Sequence, residues 1–132
     1  MITVQIEDWR VYRRDGIQFL NTAVNAYRKG RKAFSAETLY NLTCMSIEKT
    51  VMAFLMSRGD LAENHTMRDL YAALASHLGH DDELSQRFAY LDSFQEICDQ
   101  DTMIMRHPGN DDIDMILGIG SEVQLVLDPF LN

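Results

Sequence analysis

Few residues in this chain are of types, and at spacings, that suggest chemistry. The run Met105-Arg106-His107-Pro108-Gly109-Asn110 puts a cation and an imidazole between two helical stretches. The free N–H groups opening the second stretch point back toward this corner, so Arg106 and that helix start form a candidate phosphate site, with His107 beside it. Equally, Arg106 would cap the carbonyls of the preceding helix or pair with Asp111 or Asp112. His77-x-x-His80-Asp81 has donor types that suit zinc, but Gly79 separates the two histidines and no cysteine is near, so the expectation is ordinary helix-end polar residues and no metal. Glu48 sits in the most apolar stretch of the chain. If buried, it must be neutral or held by a partner such as Arg106 or Tyr90; otherwise it is an exposed helix acid.

The element that must position these groups is residues 35–58. Ala36, Tyr40, Thr43, Ile47, Val51 and Phe54 recur at steps of three and four and make one stripe; Leu42, Met45, Met52 and Met56 make a second. Glu37, Asn41 and Glu48 lie on a narrow polar line between them. A helix apolar on most of its circumference needs neighbours on several sides, so this is the expected central helix of a bundle. Ser35 is its cap and Gly59 its stop.

Around it the pattern predicts four more helices. The first starts near Asp8 as N-cap, places Tyr12, Phe19, Ala23 and Tyr27 near one face, and stops at Gly30; Gly16 interrupts it, for close packing or a bend. Another opens at Thr66 with Asp69 in an approximate capping box, buries Met67, Leu70, Tyr71, Leu74 and Leu78, and ends at Gly79. The next has an acidic first turn at Asp81–Glu83, buries Leu84, Phe88, Leu91, Phe94, Ile97 and Cys98, and must stop before Pro108. The last takes Asn110 as cap and keeps a helical period through Ile113, Ile116, Val123, Leu127 and Phe130; Gly118 and Gly120 weaken it unless close packing requires them. Ile2, Val4 and Ile6 alternate in a strand-like arm over residues 1–7. The expected fold is all-α: one domain, an up-and-down antiparallel bundle of about five helices.

The net charge of −8 is unevenly spread. Residues 1–32 hold seven of the twelve basic residues and three of the twenty acidic ones, giving +4 there and −12 over the rest. An acidic surface disfavours non-specific binding to nucleic acid, while the basic first helix is either a phosphate or acidic-partner surface or a solvated face. Two cysteines, both in apolar helical patterns, give no disulfide framework. No segment reaches the roughly 18 apolar residues of a membrane span, and the start MITVQIED lacks the pattern of a signal peptide, so a cytoplasmic protein without membrane contact is expected.

Three blocks carry a resemblance. Cys44-Met45-Ser46-Ile47-Glu48-Lys49-Thr50-Val51 with Ala53-Phe54-Leu55 and Gly59, then His65 with Leu70 and Leu74, then Tyr90-Leu91-Asp92-Ser93-Phe94 leading to Arg106-His107-Pro108, resemble in order and spacing the HEPN family. The resemblance covers roughly residues 20–127. It implies a helical bundle, commonly a homodimer, in a family whose members include RNase toxins and nucleotide-binding partners of small nucleotidyltransferases. The family's RNase motif is an arginine with a histidine after four to six intervening residues. Arg106 matches the arginine, but Asp111, Asp112 and Ile113 occupy the histidine positions. The resemblance therefore implies a non-catalytic binding module, with no cofactor, that associates with a nucleotide or a nucleotidyltransferase-type protein, as in toxin–antitoxin systems. Its expected ligand contacts are Arg106, His107, His65 and Glu48. The alternatives are an RNase toxin using an atypical pair, Arg106 with His107 or Arg58 with His65, and a structural dimer without ligand.

Overall fold

A computed structural model describes residues 8–30, 32–94 and 107–131. The arm over residues 1–7, Arg31, Ile97, Cys98 and Arg106 lie outside the described residues.

The described residues form an all-helical bundle: α1 (Trp9–Arg28), α2 (Ala36–Ser57), α3 (Met67–Leu78), α4 (Asp82–Asp92) and α5 (Ile113–Leu127), with single 3₁₀ turns at Asn110–Asp112 and Asp128–Phe130. None of these helices is long and apolar enough to cross a membrane. α2 is central. Twelve of its residues are buried, among them Tyr40, Thr43, Ile47, Val51 and Phe54 of the first stripe and Met52 and Met56 of the second. Met45, expected in that second stripe, is 42 % exposed, because the polar line through Asn41 and Glu48 widens on its side into an open groove.

Local signals set most helix ends. The Ser35 hydroxyl accepts from the Thr38 N–H at 3.1 Å, and Thr66 accepts from the Asp69 N–H at 3.1 Å. The Asp81 carboxylate accepts from the Leu84 N–H at 3.2 Å, ahead of the acidic first turn Asp82 and Glu83. Gly30, Gly59 and Gly79 all take positive φ just beyond a helix end, the left-handed geometry that costs a residue with a Cβ about 1–2 kcal/mol. Two expected caps are not made. Asp8 has helical φ and ψ and makes no side-chain cap bond. Asn110 lies inside a 3₁₀ turn, and it is Asp112 whose carboxylate accepts from the Gly109 N–H at 2.9 Å.

α1 lies on α2 and α5 through small residues. Its buried positions are Gly16, Leu20, Ala23 and Ala26; Tyr12 and Phe19 are half-buried and Tyr27 is exposed. The contacts Arg13 with Asp128, Gln124 with Gly16, and Tyr27 with Asp114 run in opposite order along α1 and α5, so these two helices are antiparallel. A Cβ on Gly16 would stand 2.5 Å from Thr50 Oγ1 and 3.1 Å from the Ser46 carbonyl. One on Gly120 would meet Leu20 and Thr43 at 2.9 Å, whereas Gly118 faces open space. The expected apolar ends of α3 and of the last helical stretch are not buried: Leu78 is 37 % and Phe130 is 44 % exposed, each standing where its helix runs out of neighbours.

The approach at Gly16 yields a direct test. Gly16→Ala should destabilise the protein by about 1–3 kcal/mol, the usual cost of forcing extra volume into a close contact, with an unchanged denaturant slope in urea melts.

Candidate functional site

Between Ser57 and Met67 the chain does not simply turn. It runs back along α2, so that His65 meets Glu48, nine residues before the helix ends. Two of the expected contact residues, taken from separate sequence blocks, are thereby brought together: His65 Nδ1 lies 2.7 Å from Glu48 Oε1. Glu48 is half-buried, and its partner is His65 rather than Tyr90. The Tyr90 hydroxyl donates instead to Asp112 at 3.0 Å. The correction has a physical cause: the return of the 58–66 segment supplies a nearer partner.

The groove around this pair has a volume of about 360 Å³ and lies between α2, the start of α3 and the end of α4. Asn41, Cys44 and Met45 come from α2, Thr66 and Met67 from the start of α3, and Asp92 from the end of α4. Asp92 is the residue that the sequence reading passed over. Its carboxylate accepts from the N–H groups of Met67 and Arg68, both at 2.9 Å, and so closes the free end of α3. It stands in the quoted block Tyr90–Phe94, but nothing in the sequence says that the end of one helix caps the start of another.

The chemistry available here is narrow. His65 Nδ1 donates to Glu48, and Nε2 stands 3.3 Å from the Ala62 carbonyl. With Nδ1 as the donor, the neutral ring keeps its lone pair on Nε2, the nitrogen beside the Ala62 carbonyl. Burial pushes the Cys44 thiol up to about 12, with Asp92 and Glu48 adding to the rise against a smaller opposite pull from Tyr40. A thiol held neutral is neither a nucleophile nor a metal ligand. Two carboxylates line the groove, and no cation does. Among the described residues, no group of three or more His, Cys, Asp or Glu side chains is arranged to hold a metal.

The other candidate residues have partners of their own. Arg58 lies over the rings of Phe54 and Phe130, at 4.9 and 5.6 Å from their centroids, away from the Glu48 partner of His65. His77 pairs with Asp60 at 2.9 Å, which with the Leu61 N–H holds the Asp60 carboxyl below the usual carboxylate range. His80 pairs with Asp82 and reaches the Tyr71 hydroxyl at 2.8 Å. His107 is exposed. At the corner where it stands, the Asp112 carboxylate already holds the Gly109 N–H, and Asp111 is exposed beside it.

Comparison of the chain with protein families, with curated proteins and with solved structures finds no match.

The state of Cys44 is measurable. In the native protein its alkylation at pH 8, followed by peptide mass spectrometry, should be at least about a hundredfold slower than in denaturant, because rate follows the thiolate fraction. The raised value also fixes a sign. The thiol favours the native state fully below its unfolded pKa of about 8.5, and this contribution is lost as pH rises from there toward 12. Cys44→Ala should flatten that part of the alkaline stability profile.

Proposed function

We propose that this chain is a non-catalytic binding module resembling the HEPN family, which forms a homodimer and associates with a nucleotide or with a nucleotidyltransferase-type protein. The observation that supports the non-catalytic part is the lining of the groove around His65, where Glu48 and Asp92 stand and, among the described residues, no lysine or arginine does. The two carboxylates of the groove add repulsion toward a phosphodiester. The three sequence blocks and the helical bundle support the family reading; the meeting of Glu48 and His65 supports a shared role for them.

The homodimer has support on α5. Met115 and Leu125 are 54 % and 72 % exposed and lie on one stripe with Gly118. An interior helix glycine costs roughly 1 kcal/mol relative to alanine, and among the described residues nothing comes within 4 Å of where its Cβ would be. A second α5 crossing there would both use the open space and cover the apolar stripe.

Two measurements test this reading. Incubation with cellular RNA should leave it intact; cleavage that disappears in Arg106→Ala would overturn the non-catalytic assignment. Melting with ATP should raise Tm, since a ligand at 100 times its dissociation constant adds about 2.7 kcal/mol. The dimer is checked separately. Light scattering should give twice the chain mass for the wild type and the chain mass for Leu125→Glu, with the helical circular dichroism retained.

A further inference from the structure

The outer face of α1 carries a second groove, of about 490 Å³, that plays no part in the Glu48–His65 site. Trp9, Arg10, Arg13, Arg14, Ile17 and Gln18 line it, together with Leu131 from the chain's last described residues. Its floor is apolar and aromatic, its rim is three guanidinium groups, and its volume is that of a small-molecule site.

The arrangement is locally unfavourable in the free protein. Positions 13 and 14 each stand about one turn from position 10, so Arg10 has a like charge at both helical neighbours, an arrangement that disfavours the helix. Their compensation is weak. Among the described residues, Arg14 reaches Asp15, its neighbour on the same helix, at 3.3 Å. Arg13 meets Asp128 at 3.8 Å, beyond hydrogen-bond reach, and its buried Nε has no hydrogen-bond partner among the described residues. Arg10 lies 4.5 Å over the Trp9 ring and has no carboxylate partner among the described residues.

We infer that this groove binds a nucleoside polyphosphate. The inference rests on the nucleotide reading proposed above and gives it a location. Three guanidiniums within two turns call for a ligand whose negative charges are equally crowded. Adjacent phosphates supply that, and their oxygens match the planar fork of arginine. A peptide spaces its carboxylates more widely. A nucleic-acid backbone brings a long polyanion against a chain of net charge −8. The nucleobase takes the apolar floor, stacking with Trp9 in extension or in place of the Arg10 guanidinium.

Trp9 is the single tryptophan of the chain, so its emission reports on this groove alone. Titrating the full chain with ATP should quench that emission saturably, and AMP should bind more weakly. Arg13→Gln and the separate Arg14→Gln should each weaken ATP binding about tenfold. The side chain of Arg14 is 64 % exposed, so its substitution leaves the fold intact even if that of Arg13 does not. Unchanged affinity in Arg14→Gln, or quenching by hexaglutamate without quenching by ATP, would overturn the inference; the latter would assign the groove to an acidic protein surface. If ATP raises Tm while Trp9 emission stays constant, the groove assignment fails and the nucleotide reading stands. If neither responds, both fail.

Discussion

The carbonyl of Gly16 is shared by three helices. Ser46 donates its hydroxyl proton to it at 2.6 Å, and the Gln124 amide approaches it at 3.3 Å while also reaching Ser46 Oγ. This contact exists only because residue 16 has no side chain, and it fixes how near α1 can come to α2. Two further buried hydroxyls on α2, Thr43 and Thr50, bond back to the carbonyls of Leu39 and Ser46. The polar atoms on this face of α2 are thus satisfied without charge, which a close-packed interior requires. Once α1 is seated this deeply, its apolar small residues are used up on the inside, and its arginines have only the outside to occupy.

Much of this architecture was legible in the sequence, for reasons that are local. The stripe through Tyr40, Thr43, Ile47, Val51 and Phe54 is buried as its spacing says, because a period of 3.6 is imposed by the helix itself. Ser35 and Thr66 cap the helices they precede, since the donor each one satisfies lies three residues away in the chain. Gly30, Gly59 and Gly79 mark helix ends through their backbone freedom. In each case cause and effect are separated by less than one turn.

The readings that failed depend on where distant segments come to rest. The face of α1 was read through Tyr12, Phe19, Ala23 and Tyr27; Ala23 is buried, but the tight approach to α2 selects small residues over the aromatics, and size cannot be weighed without knowing the spacing between helices. Glu48 was read either as an exposed acid or as a buried one held by a residue of the later helices; the path of the 58–66 loop gives it His65. Asp92 carries no signal of its own, because a carboxylate that caps a helix 24 residues away looks like any other acid near a helix end. The candidate site shows the same division. Its residue types were visible as single letters, and their combination into an acid-lined groove depended on three chain segments meeting.

The cap made by Asp92 also bears on how the molecule fluctuates. At one end of the α3–α4 pair this carboxylate binds two main-chain N–H groups; at the other, the Tyr71 hydroxyl accepts from the Asp81 N–H at 2.8 Å, with Tyr71 and Phe88 packed between them. The pair is fastened at both ends by its own atoms. Neither helix unwinds alone without exposing the donors that the other satisfies, so the two exchange their amide protons as one cooperative unit. The wall that carries His65 is joined to the start of that unit, and the walls that carry Glu48 and Trp9 belong to the part of the bundle tied at Gly16. One groove thus sits across the boundary between a separable pair and the bundle's rigid part, while the basic groove of α1 lies wholly within the rigid part.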